Sequence, residues 1–275
     1  MPFLPLRVTA PSDAAVRLYE RWLGWLDEEL RRADADRSEL CARVLRELYF
    51  PEWADRLPDR VPLGVQVAWA QMDPRNVTLE PEYYAEVDPE RYARVKPLLW
   101  MWQMFDRSPL GQNVHLGVEF RRLLAPHIFA RCGRNFKCFH FVEFSFGYNM
   151  EVGDDVVVHR HVLLDDRGGI VLGDRVSISD YANIYSHTHS IVDGRDVTNA
   201  KTVIEDDVRI TYHATVLAGV RVGRNAMVGA CAVATRDVRP YHVNVGIPAK
   251  SVRVKPGAPP ESEEETTVVR RRPPA

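Results

Sequence analysis

Apolar residues recur along this chain with two different periods, and the change falls near residue 145. Before it the spacing is helical. The stretch SDAAVRLYERWLGWLDEEL places Tyr19, Leu23, Leu26 and Leu30 at steps of four, three and four, one face of a helix, with Ser12 as its N-cap. After the polar break ADADRS, Leu40, Val44, Leu45 and Leu48 predict a second helix that stops before Pro51. Asp88 and Pro89 form a cap and first-turn pair for a third helix over ERYARVKPLLWMWQMF, which Pro97 is expected to kink or divide. Its aromatic cluster, Trp100 to Phe105, reads as core or subunit interface.

Beyond residue 145 the period is six. Val152, Val158, Leu164 and Ile170 keep one phase, a two-residue reset leads to Leu172, Ile178 and Ile184, and after an interruption the phase resumes at Ile204, Ile210, Val216, Val222, Val228 and Ala234. The position four residues further on is also small or aliphatic: Val208, Ala214, Val220, Ala226, Ala232 and Val238. A sandwich would alternate with period two, and valines, glycines and aspartates at these spacings disfavour helix. Short strands meeting at tight corners, three to a coil, satisfy the pattern. Residues 190–203, SIVDGRDVTNAKTV, leave the repeat and return in phase, so they should project as a loop directly after His189.

These periods divide the 275 residues into a mainly helical region (1–110), a connecting segment and start of the solenoid (111–145), the solenoid proper (146–254) and a tail (255–275). The tail, Pro-rich with an acidic and then a basic block, is expected to be disordered. The formal net charge of −2 gives no global basic field, which argues against nucleic acid or an anionic membrane as partner. The four cysteines, Cys41, Cys132, Cys138 and Cys231, are scattered and fit reduced thiols. No uncharged apolar run approaches the ~18 residues that span a bilayer, and the N-terminus lacks a signal-peptide pattern. The expectation is a cytoplasmic protein without a transmembrane segment.

The hexads, together with GIPAKSV at 246–252, resemble the hexapeptide-repeat acyltransferases, and most closely the maltose and galactoside O-acetyltransferase branch. The resemblance covers about 146–254 and implies an α+β chain whose C-terminal part is a left-handed parallel β-helix. It also implies acetyl-coenzyme A as donor with no metal, a small-molecule or glycan acceptor, and a homotrimer with its sites between subunits. The segment IYSHTHS looks like the one ending in the branch's catalytic histidine, which puts His189 in that position and His187 where the branch has a small residue. A histidine suits the task, because a hydroxyl attacking a thioester must lose a proton that an imidazole can accept and later return to the thiolate.

By the same resemblance Asp166, in LLDD, matches an acceptor-binding aspartate, His159 replaces an acceptor-binding asparagine, and His187 faces the acceptor as a neighbour of the base. Ala230, Thr235 and Arg236 match residues lining the coenzyme channel, and Lys250 is placed to meet a phosphate. Arg209 and Thr211 replace the family's usual Trp and Gly, which alters the channel wall. Two other readings stand beside this one. Pairs of histidines two apart, 159/161 and 187/189, share a strand face, and with His213 they raise a metal-dependent enzyme like the γ-class carbonic anhydrases. The third reading is a non-catalytic trimeric scaffold whose helical half binds a partner.

Overall fold

Five α-helices precede the solenoid among the described residues, and four of them open on a side chain that caps the first turn. The structure, a computed structural model, describes residues 9–260; beyond residue 260 the expected tail lies outside the described residues. Helix α1 (Asp13–Arg31) is capped by Ser12, whose hydroxyl accepts from the Ala15 amide, and α2 (Arg37–Tyr49) by Asp36, which takes the amides of Ser38 and Glu39. A short α3 (Leu63–Ala70) follows. Helix α4 (Pro89–Arg107) starts at Asp88 as expected but runs through Pro97 without dividing. Tyr92, Val95, Leu98, Leu99, Met101, Trp102 and Phe105 are all buried around it, and that packing offsets the hydrogen bond the proline removes. The connecting segment contains one further helix, α5 (Val114–Ile128), capped by Asn113.

Helices α4 and α5 close the first end of the solenoid. Trp102 packs edge-on against Phe144 with ring centroids 5.1 Å apart, so the aromatic cluster of α4 is core. Arg121 and Asp106 form a fully buried ion pair. Arg121 also donates to the carbonyls of Cys138 and Gly111, while Asp106 accepts the Phe141 amide at 2.7 Å. A paired and hydrogen-bonded charge is the form in which burial is tolerated. Helices and coils share one apolar core running from Leu26 to Val238.

The solenoid starts at Arg131. Its first coil is Arg131–Cys132, Lys137–Cys138 and Glu143–Phe144, and four more coils repeat those three short strands in three parallel sheets. The strand His242–Val245 and its antiparallel partner Lys250–Val254 finish one sheet. The hexad residues from Val152 to Ala234 point inward and are at most 1% exposed.

Register shows where coils differ in length. Met150 pairs with Ile170 and Val157 with Ser177, a repeat of 20 residues, whereas Val203 pairs with Arg221 and Thr215 with Val233, a repeat of 18, or three hexads. Between them Ile170 pairs with Thr202, a repeat of 32, which is the 18-residue coil plus the 14-residue interruption. All the extra residues fall at the same corner, after the third strand of a coil: 145–149, 166–169 and 186–201. That stacked, enlarged corner is where the solenoid departs from a smooth prism.

Candidate active site

The longest excursion at this corner is a β-hairpin. His187–His189 pairs antiparallel with Val197–Asn199, setting His187 opposite Asn199 and His189 opposite Val197. Both histidines are therefore part of the excursion, which begins before residue 190 and carries them away from the coil wall. The base of the hairpin is tied by a buried hydroxyl. Ser186 Oγ donates to the Asp165 carbonyl at 2.5 Å and accepts the Gly168 amide at 2.8 Å, and the Ala200 amide returns to the Ser186 carbonyl at 2.8 Å. Gly168 sits so close that a Cβ would lie 2.2 Å from that carbonyl oxygen.

A cavity of about 540 Å³ opens beneath the hairpin, within the range of small-molecule sites. Asp165, Arg167, Tyr185, His187 and His189 line its solenoid side. Its opposite wall is the segment Glu80–Glu86 of the helical region, with Tyr83 and Tyr84 in it. A second cavity of about 200 Å³ shares Glu80, Ser145 and Leu163 with the first and reaches to Tyr92 of α4.

Asp165 and His187 meet in the cavity wall. Nδ1 of His187 is buried, forms no aligned hydrogen bond, and has Oδ2 of Asp165 in charge contact. The other carboxylate oxygen, Oδ1, accepts from Ser145 Oγ at 3.1 Å, which fixes the carboxylate from the neighbouring coil. His189 is exposed, its ring 5.3 Å from that of His187 and nearly perpendicular. Its Nδ1 lies 3.3 Å from the Gly194 carbonyl oxygen. A carbonyl only accepts, so Nδ1 carries the proton and Nε2 keeps a lone pair for a ligand.

Asp166 is placed differently from its neighbour. It is fully buried, accepts the amides of Phe146 at 2.7 Å and Asn149 at 3.2 Å, and is absent from the cavity wall. Burial pushes its carboxyl up to about 6, against the pull of those amides. It pins the corner of the preceding coil, and Asp165 is the aspartate that faces the cavity. His159 stacks on Phe139 at 5.0 Å on another corner and does not line this cavity. His161 and His213 stack on either face of Tyr181, at 4.8 and 4.9 Å, again on a different corner from the hairpin. Among the described residues no group of three or more His, Cys, Asp or Glu side chains is placed to hold a metal ion.

Thr235 and Arg236 follow the strand Val233–Ala234, which stacks two coils beyond Asn183–Tyr185 on the sheet that feeds the hairpin. Two coil spacings are ~10 Å, a reach suited to an elongated ligand running along the corner. Ala230, Thr235, Arg236 and Lys250 are all exposed. No helix among the described residues is long and apolar enough to cross a membrane.

Reading the sequence missed Asp165, Ser145, Arg167 and the whole 80–86 wall. Asp165 adjoins Asp166 in LLDD, and period two puts neighbours on opposite faces: Leu164 points inward, so Asp165 turns outward and Asp166 inward. Nothing in the local pattern of 80–86 indicates that it returns to the corner.

No protein-family profile matches the chain. It is 27% identical over 169 residues to the galactoside O-acetyltransferase of Escherichia coli (strain K12), covering 60% of this chain and 79% of that enzyme. It is 29% identical over 114 residues to the serine acetyltransferase of Salmonella typhimurium, spanning 42% of this chain but only 41% of that protein. Among solved structures, a hexapeptide-repeat acetyltransferase of Vibrio cholerae in complex with acetyl-coenzyme A superposes with a TM-score of 0.52 at 25% identity, over 62% of this chain and 90% of that one. A galactoside acetyltransferase in complex with coenzyme A has the same fold, with a TM-score of 0.52 at 24% identity over 60% of this chain and 81% of its own. The solenoid is thus a left-handed parallel β-helix preceded by a helical region.

Proposed function

We propose that this chain, a hexapeptide-repeat acyltransferase akin to the galactoside and maltose O-acetyltransferases, moves an acetyl group from acetyl-coenzyme A to a hydroxyl of a saccharide, with His189 as general base. The observation that carries the reading is the hairpin itself. It holds two imidazoles over a cavity, one with a carboxylate against its Nδ1 and the other with a carbonyl 3.3 Å from its Nδ1.

Bound at the corner, acetyl-coenzyme A supplies an activated acetyl thioester. The exposed Arg236 and Lys250 meet its phosphates, and Thr235 with Ala230 lines its course toward the hairpin. The acceptor lies in the cavity between the Glu80–Glu86 wall and the corner. His189 takes the proton of the acceptor hydroxyl at Nε2 as the oxygen bonds to the acetyl carbon, its Nδ1–H held by Gly194. The carbon–sulfur bond breaks, and the imidazolium returns that proton to the sulfur. His187, against Asp165, presents its other ring nitrogen to the acceptor.

The assembly we expect is a homotrimer in which neighbouring subunits complete the coenzyme channel. Tyr181, Tyr212 and Leu217, which are 44%, 57% and 39% exposed, support a face covered by another copy. Light scattering checks the stoichiometry.

The test is His189→Ala, assayed with acetyl-coenzyme A against a panel of glycosides and free serine. Turnover should fall about 10²- to 10⁴-fold while acetyl-coenzyme A affinity, read by calorimetry, stays within about twofold. A near-normal rate in the variant would remove His189 from its role, and transfer to serine alone would replace the saccharide.

A further inference from the structure

The helical region meets the corner beneath the hairpin at Glu86. Glu86 pairs with Arg167, whose Nε donates to it at 2.6 Å. Arg167 is itself buried, with its guanidinium 3.9 Å from the centroid of the Tyr84 ring. The Asn199 side chain also faces the Glu86 carboxylate and helps to hold it ionised. Each contact touches a flank of the Asp165 and His187 pair. Arg167 stands two residues after Asp165 and donates its own amide to Oδ1 of Asp165 at 3.4 Å. Asn199 is the residue directly opposite His187 in the hairpin ladder.

Beyond its tied base the hairpin stands out from the coil. Residues 191–199 are exposed throughout, and Ile191 and Val192 at its tip stand in solvent. Two antiparallel strands alone are marginal in water, so an added anchor decides how long the histidines stay in place.

We propose that Glu86 is a positioning residue for acyl transfer: it clamps the His187–His189 hairpin to the enlarged corner and makes the helical region part of the active site. The proposal rests on the acyltransferase reading for its catalytic consequence, while the clamp is a property of the fold. Glu86 touches neither reacting atom. It acts by fixing Arg167, and through it the corner that carries Asp165 against His187, where small displacements are costly. Burial raises the Glu86 carboxyl, but its own backbone amide, Arg167 and Asn199 outweigh that and hold it below the usual range, so it is ionised at neutral pH.

The experiment compares the full-length wild type, Glu86→Gln and Glu86→Ala by hydrogen exchange and by steady-state kinetics. In Glu86→Ala the amides of 187–199 should exchange at least tenfold faster, with those of the coils at 204–234 unchanged. The value of kcat should fall at least tenfold and the KM for acetyl-coenzyme A stay the same. Glu86→Gln keeps a partner for Asn199 and should recover part of both effects. Unchanged hairpin exchange overturns the clamp, and faster exchange with unchanged kcat overturns the positioning role. If the wild type transfers acetyl to no acceptor tested, the acyltransferase reading fails on its own, and hairpin exchange still decides the clamp. Should Glu86→Ala not fold, Asn199→Ala removes the hairpin end of the same bridge and is read in the same way.

Discussion

Asp165 and His187 come from different coils of the solenoid, 22 residues apart in sequence, and meet because both sit at the one corner where coils exceed three hexads. The carboxylate is fixed by Ser145 from a third coil, so three successive coils contribute to one pair. Replacing Asp165 by Asn keeps the shape and the Ser145 contact but removes the charge beside Nδ1. We expect kcat to fall at least tenfold, with the KM for acetyl-coenzyme A unchanged. The double variant with His187→Ala should be little worse than either single change, because the two act as a unit; a cycle of kcat values measures this.

Asp166 gives a pH dependence of definite sign. Its folded-state carboxyl titrates at about 6, above its ordinary 3.8, so the folded chain binds this proton more tightly than the unfolded one. The stability it contributes is complete below pH ~4 and is lost as pH rises through ~6. Relative to Asp166→Asn, the wild type should lose on the order of 2 to 3 kcal/mol between pH 4 and pH 7. Urea titrations of both proteins at four pH values read this difference directly.

Gly168 tests the base of the hairpin. A methyl group there would meet the Ser186 carbonyl and, at 2.7 Å, the Ala200 amide, both backbone atoms that give only if the hairpin shifts. Gly168→Ala should cost about 1–3 kcal/mol in stability and lower kcat more than it lowers coenzyme affinity. Thermal unfolding together with calorimetry separates the two effects.

Much of this architecture could be read from spacing. The hexads fix both the coil and the phase to which it returns, because a six-residue period admits a single inward set, and the observed repeat of 32 residues between Ile170 and Thr202 follows from it. Ser12 and Asp88 cap α1 and α4 as the start signals of those helices predict. Helix α5 lies in the stretch expected only to connect, although Leu116, Phe120 and Leu124 recur there at steps of four. The pair at 187 and 189 was visible as a cluster. The carboxylate beside His187 is not legible in the same way: Leu164 points inward and alternation turns Asp165 outward, but nothing local shows that His187, on the next coil, meets it. The 80–86 wall was invisible for another reason: contacts between Glu86 and residues about 80 to 110 positions away leave no periodic trace in the chain.

Arg121 and Asp106 probe how the two halves depend on each other. The pair is buried where α4, α5 and the first coil meet. Arg121→Ala leaves Asp106 buried without its partner and should cost about 3–5 kcal/mol. Calorimetry should show one transition moving as a whole, since the apolar core is continuous from helices to coils; two separated transitions would show that the halves melt independently.

The stacking of every irregularity at one corner separates two kinds of change. The inward ladder of Val, Ile, Leu and Ala runs on at multiples of six whether the intervening excursion is absent, two residues long or fourteen. Lineages can therefore lengthen, shorten or rewrite the reactive segment by whole insertions without re-threading a single strand. The scaffold works as a fixed rail, and the hairpin is a part mounted on it, with the Glu86–Arg167 pair bracing the corner beside its base.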